Sequence, residues 1–325
     1  MKTHRRVIVI AFIFILVLAL IISGLRVLES TVLYPEEPSS EIRTSKTITI
    51  DENDYFPRQD ITVVMLLGID GKGPMESSGY FRNETRSDMA ALLILDQAEQ
   101  TYSILNLNRD TMLNMPILGL GGKTAGSGYG QLALSYTYGE GLNDSCENTR
   151  KTISDFLGGI VIDHYVAIKM EAMPIINDAV GGVTVNVTDD FSAVDSSIPM
   201  GEVTLRGKQA MYYVQTRKDV GDQLNLSRMD RQKEYMQSFM EALRAKNASG
   251  DSFVLDLYED ISPYMVTDCS VNVISGLMER CSDYTLKEIV TPEGENVLGE
   301  EFYEFYVDEE QLQELVLRLF YAPKS

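Results

Sequence analysis

Four short patches combine acids with arginines in a pattern suited to a phosphorylated substrate. They are Gly68-Ile69-Asp70-Gly71, Arg86-Ser87-Asp88, Asn108-Arg109-Asp110-Thr111, and Thr216-Arg217 with Arg228-Met229-Asp230-Arg231-Gln232. Arginine forks bind phosphate oxygens in pairs and need no adjustment of protonation. Aspartates acting with phosphate oxygens hold Mg²⁺. A site built this way would carry out phosphoryl transfer, where positioning and charge neutralisation supply most of the rate. The same residues would also make an ordinary ion-pair network, each surface pair worth at most about 1 kcal/mol. Asp70 before a glycine is also a common turn residue. Residue types alone leave both readings standing.

The elements that must position these patches are legible from pattern. Ile61 to Leu67, Met89 to Leu95 and Tyr102 to Leu107 are short apolar runs bounded by turn residues, which predicts buried strands. The first three patches lie at their ends, where sheet enzymes keep their sites. If the strands are neighbours and the middle one is antiparallel to the others, Asp70, Asp88 and Asp110 meet Arg86, Arg109, Arg217 and Arg228 at one edge. A helix is expected over Asn143 to Leu157, capped by Asn143, Asp144 or Ser145 and stopped by Gly158. Strands at Val161 to Ile168 and Val183 to Val187 flank a helix around Met173 to Val180 that closes on Gly181-Gly182. Asp51 and Asp96 are assigned to loops.

The clearest helix runs from Arg228 to Lys246, with Ser227 as its cap and Met236, Phe239, Met240 and Leu243 on one face. Stepping back by fours from Met236 reaches Gln232 and Arg228, with Arg231 adjacent. These arginines continue a core-facing stripe, and a buried guanidinium needs an anion. That anion is either a protein carboxylate or a bound phosphate. Alternating helices and strands predict an α/β or α+β layered fold, a central mixed sheet flanked by helices.

The whole chain narrows the function further. It has 325 residues, 44% hydrophobic, and a net charge of −20, enough for a large core and hostile to nucleic acid at long range. Any anion site must therefore be built from clustered arginines. Cys146, Cys269 and Cys281 contain no CxxC pair, so core thiols are expected, with one bond between Cys269 and Cys281 left open. Sequons beginning at Asn83 would matter only in a eukaryotic secretory pathway. Val7 to Ser23 is uncharged and apolar, and continued to Leu28 it reaches roughly 30 Å as a helix. The run is longer than a signal-peptide core and has no clear cleavage site. Residues 1–6 are therefore expected in the cytoplasm, 7–28 as a single transmembrane anchor, 29–58 as a linker and 59–325 as an extracytoplasmic domain.

In order and spacing, GIDGKG, TRSDMAALLILD, YSILNLNRDT, GGIVIDHYVAI, INDAVGGVTVNV, LRGKQAMYYVQTRK and SRMDRQ resemble the LytR-CpsA-Psr (LCP) domain. The resemblance covers residues 60–245 as a core, with a C-terminal extension toward 320. It implies a layered α/β domain that holds a polyprenyl pyrophosphate, its lipid in an apolar cavity and its head group among arginines. It also implies Mg²⁺-dependent transfer of a glycopolymer, teichoic acid or capsular polysaccharide, from undecaprenyl pyrophosphate to peptidoglycan at the cell membrane. By position Asp70 and Asp88 resemble the metal carboxylates, and Arg86, Arg109, Arg217, Arg228 and Gln232 the pyrophosphate binders. Arg109 and Asp110 are the expected catalytic pair, Asp110 as candidate general base.

The chain departs from the family pattern at two cationic positions, now Gln131 and Gln215, which are expected to reach the pyrophosphate as amides. Asn225 stands where an aspartate is usual. These changes keep open a polyprenyl-phosphate-binding envelope protein with weak turnover, and a pyrophosphatase side activity at the same site. A transcriptional regulator is opposed by the acidic charge and the outward topology.

Overall fold

The computed structural model describes residues 47–50, 53–216, 220, 284–300 and 302–323, and scattered positions between 231 and 277. The expected anchor at 7–28 and most of the expected linker lie outside them, as do Asp51, Cys281, Arg217, Arg228 and Gln232. Among the described residues no helix is long and apolar enough to cross a membrane.

The chain begins with β1 (Ile48–Ile50) and β2 (Asn53–Pro57), then β3 (Ile61–Ile69), β4 (Ser87–Asp96), β5 (Thr101–Leu107), β6 (Met112–Leu118) and β7 (Thr124–Gln131). It continues through α1 (Asn143–Phe156), β8 (His164–Lys169), α2 (Ala172–Ala179), β9 (Val183–Val187), β10 (Gly201–Leu205) and α3 (Lys208–Gln215). The last part supplies β11 (Met265–Thr267), β12 (Thr285–Val290), β13 (Gly294–Leu298), β14 (Tyr303–Val307), α4 (Glu309–Phe320) and β15 (Tyr321–Pro323). A mixed sheet of six strands, ordered β11-β8-β3-β4-β5-β12, forms the centre. β4 is antiparallel to both β3 and β5, which meets the condition for the patches to converge, and β8 joins β3 in parallel.

Alternate residues of each strand feed two cores, one on each face. Val64, Leu66, Ala91, Leu93, Val166 and Ile168 pack against α2, α3, the β9–β10 hairpin and the helical residues Tyr235, Phe239 and Leu243. Met65, Leu67, Leu92, Ile94, Leu105 and Ala167 pack against α1, β6 and α4. The near-continuous burial of β3 and β4 follows from this double cover, which removes the polar alternation of a one-sided sheet.

Several expectations are corrected. Residues 48–57, read as the end of a linker, form β1 and β2 and close a three-stranded sheet with β15, so the folded domain begins before Asp60. The pairing partner lies at the far end of the chain, beyond the reach of local pattern. Asp96 is not a loop residue but the buried end of β4, where it accepts from Arg58 at 2.7 Å. β8 starts at His164 rather than Val161. Helix α1 has Leu142 at its N-cap with no side-chain cap. Asp144 and Ser145 instead accept from the backbone N–H groups of Glu140 and Gly141, tying down the preceding loop.

The described positions of 231–246 are helical, and Arg231 there is 2% exposed. Its anion is a protein carboxylate: it pairs with Asp189, donates to the carbonyls of Tyr213 and Thr216, and stacks 5.2 Å from the Phe191 ring. The C-terminal extension completes the same domain. β11 and β12 form the two edges of the central sheet, and α4 buries Leu312, Val316, Leu319 and Phe320.

Candidate functional site

Three of the four patches converge at one end of the central sheet. Ile69 at the end of β3 pairs with Ser87 at the start of β4, which brings the chain after β3 against the chain before β4. The Asp70 N–H donates to the Arg86 carbonyl at 3.0 Å, and the Arg86 N–H donates to Asp70 Oδ1 at 2.6 Å. Arg109, just past β5, forms an ion pair with Asp88. Its Nε lies 3.6 Å from Asp110 Oδ1 and has no hydrogen-bond acceptor although it is buried. The protein thus leaves Arg109 partly unsatisfied, whereas it satisfies Arg231 fully. The two guanidiniums thus differ: Arg231 is closed within the fold, and Arg109 keeps a buried Nε–H without an acceptor.

The electrostatics agree with this reading. Burial is the main force pushing the Asp88 carboxyl above the usual carboxylate range. Attraction from Arg109 opposes the rise, Asp70 adds to it, Arg86 opposes and Asp110 adds. Five charged groups therefore sense one another here. Asp70, Asp88 and Asp110 are not gathered within 4.8 Å, since among the described residues the one such His, Cys, Asp or Glu group lies elsewhere. Among the described residues no third His, Cys, Asp or Glu joins Asp70 and Asp88, and so sparse a carboxylate set is one Mg²⁺ can use, since it keeps several positions for water and phosphate. A cation between Asp70 and Asp88 would also relieve their repulsion.

The Gln131 amide is engaged by protein partners. It is 6% exposed, and its amide donates to Asp110 Oδ1 and to the Tyr303 carbonyl, both at 2.9 Å. Both amide hydrogens are committed, so its role here is to orient Asp110. Gln215 ends α3 and is half-buried, and among the described residues no hydrogen bond or ion pair joins it to the cluster. The structure therefore brings together Asp70, Arg86, Asp88, Arg109, Asp110 and Gln131.

Two residues that sequence pattern misses shape the rim. Asn83 is 5% exposed and donates to the carbonyls of Tyr136 and Gly139 and to Ser145 Oγ, while its Oδ1 accepts from the Thr85 N–H. It staples the β3–β4 loop to the loop before α1, which sits so close that a Cβ on Gly139 would meet the Ser145 nitrogen at 2.7 Å. Burial of its amide leaves Asn83 itself inaccessible as a sequon acceptor. Lys169, buried at the end of β8, donates to the carbonyls of Lys72 and Pro74 and anchors the same loop. A charge ending an apolar strand was the available signal. Beside the loop opens a cleft of about 350 Å³ whose lining includes Tyr80, Arg82, Glu84 and Lys169.

Replacing Asn83 with alanine is expected to destabilise the fold by about 2 kcal/mol, because several buried partners lose a donor or acceptor at once. Urea unfolding checks this. A change under about 0.5 kcal/mol would mean that the staple is dispensable.

This arrangement can now be set beside known proteins. The polyisoprenyl-teichoic acid–peptidoglycan teichoic acid transferase TagU of Oceanobacillus iheyensis is 29% identical over 209 residues, 63% of this chain. The match spans 59% of that relative's length. TagT of Bacillus subtilis, described by the same activity, is 25% identical over 270 residues, 81% of this chain and 77% of TagT. A solved structure of TagT bound to LIIa-WTA shares the fold, with a TM-score of 0.56 and 24% identity over 88% of this chain and 98% of that one. With residues 30–320 matching its family description from the first strands to the end of α4, the chain belongs to the LytR_cpsA_psr family.

Proposed function

We propose that this protein transfers an anionic glycopolymer from a polyisoprenyl pyrophosphate carrier to peptidoglycan, anchored by residues 7–28 with its folded domain outside the cytoplasmic membrane. The observation that carries the reading is Arg109, a half-buried side chain at the sheet edge whose Nε–H is buried without an acceptor between Asp88 and Asp110. The names of the relatives supply the substrate class.

In this reading Arg109 and Arg86 bind the pyrophosphate oxygens, Arg109 offering the donor that the protein leaves without an acceptor. Asp70 and Asp88 would hold Mg²⁺, which when bound neutralises phosphate charge. The acceptor sugar hydroxyl attacks the glycan-side phosphorus. A new phosphorus–oxygen bond forms, the bond to the bridging oxygen breaks, and lipid monophosphate departs with its electron pair. Asp110, oriented by the Gln131 amide, takes the hydroxyl proton.

The test uses the full chain in detergent with a lipid-pyrophosphate-linked glycan and peptidoglycan. Coupled product is expected with Mg²⁺ and none after chelation by EDTA. Absence of product from the wild type under every metal condition would overturn the transferase reading. The commitment of Gln131 to Asp110 and the Tyr303 carbonyl favours one rival, a carrier-binding protein without turnover. Saturable retention of the lipid pyrophosphate with no product would establish it, and release of lipid phosphate without acceptor would identify a hydrolase.

A further inference from the structure

The edge strand β11 lies antiparallel on β8, with Met265 opposite Ile168 and Thr267 opposite Val166. Continuing that register sets Cys269 against His164, with Asp268 between them. Their ligand atoms all lie within 4.8 Å of one another. Asp268 Oδ1 is 3.6 Å from His164 Nδ1 and 3.8 Å from Cys269 Sγ. Around tetrahedral Zn²⁺, bond lengths near 2.0 Å to nitrogen or oxygen and near 2.3 Å to sulfur place neighbouring ligand atoms about 3.3–3.6 Å apart. The two separations from Asp268 Oδ1 exceed these by a few tenths of an ångström, and the third pair lies within 4.8 Å.

We propose that His164, Asp268 and Cys269 form a binding site for Zn²⁺ or a similarly borderline transition-metal ion, distinct from the Asp70–Asp88 site. In the β3–β8 register His164 stands opposite Val64, while the phosphate-site end lies beyond Ile69 and Lys169. Five residues of strand put the two sites roughly 16 Å apart.

The surroundings favour an ion. Imidazole, thiolate and carboxylate together select a borderline metal over Mg²⁺. The carboxylate is oriented in advance, since Asp268 Oδ1 accepts from the Tyr165 N–H at 2.9 Å and Oδ2 faces Arg150 at 3.4 Å. Such outer contacts position metal ligands, and the opposing charge of Arg150 is directed at the oxygen turned away from His164 and Cys269. The His164 and Asp268 side chains are 26% and 24% exposed, so an ion can enter and a fourth position faces solvent. The competing occupant is a proton, which gives a simple His164–Asp268 ion pair; hydrogen bonds first to Asp268 and then to Cys269 push the imidazole pKa up to about 10. Metal binding would displace that proton and clip the three-residue β11 to the sheet.

The full chain, purified metal-free, is titrated with Co²⁺ and then Zn²⁺. One Co²⁺ per chain is expected, with a thiolate-to-cobalt charge-transfer absorption that Zn²⁺ abolishes and Mg²⁺ leaves unchanged. Cys269→Ser should remove the absorption. His164→Asn should weaken binding by more than the roughly 10- to 100-fold contributed by outer contacts. Should a variant fail to fold, the wild type decides: Zn²⁺ should protect Cys269 from alkylation by iodoacetamide, mapped by peptide mass. No absorption, an absorption retained in Cys269→Ser, or unprotected Cys269 would overturn the site.

Discussion

Replacing Arg109 with alanine is expected to lower glycopolymer transfer by about 10²–10³-fold, the loss typical of removing one preorganised donor to developing charge. The guanidinium has two relations in the site: an ion pair with Asp88, and a buried Nε–H that lies 3.6 Å from Asp110 Oδ1 without an acceptor. The first holds it in place, and in the proposed mechanism the second serves the pyrophosphate. Its side chain is one-third exposed, so alanine leaves a wet gap rather than a dry cavity, and the melting temperature should fall only slightly. Lysine should restore part of the rate, because charge returns without the paired fork. Transfer assays beside thermal unfolding separate the cases. Unchanged transfer by Arg109→Ala would remove Arg109 from the mechanism, and equal losses of transfer and stability would make it structural.

The second large effect is on folding. Asp189→Ala is expected to destabilise the protein by about 3 kcal/mol, since it strips the carboxylate from a guanidinium that cannot return to water. The Arg231 side chain is 3% exposed, and the rings of Phe191 and Tyr213 lie over it. Two carbonyls still accept from it, which keeps the loss toward the lower end of the range for broken buried pairs. For a domain of this size the melting temperature should drop by roughly 6–10 °C. Adding Arg231→Met to Asp189→Ala should recover part of the stability, because the stranded charge is gone while the carbonyls of Tyr213 and Thr216 lose their donor. A double-mutant cycle without coupling between the two positions would show that the pair does not hold this face together.

The contrast between the two arginines also shows what pattern reading can reach. Helical spacing predicts Arg231 to be inward-facing and to need an anion, but Asp189 stands 42 residues away and only folding identifies it. The same limit hides Asn83, whose partners come from the loop before α1, and the Gln131 amide, which resemblance to a family makes a ligand contact and the fold turns onto Asp110. His164 and Asp268 are separated by 104 positions and meet only because β11 returns to pair with β8.

By itself the sequence determined the strands that carry the site and which charged residues end them, because apolar runs and turn residues act over a few positions. It thereby brought Asp70, Arg86, Asp88, Arg109 and Asp110 to one sheet edge, given an antiparallel β4. Only the tertiary structure decided which of these charges the protein itself satisfies. That depends on burial and on partners supplied by distant segments, and it left the Arg109 Nε–H open, closed Arg231 on Asp189, and gathered His164, Asp268 and Cys269 at the far end of β8.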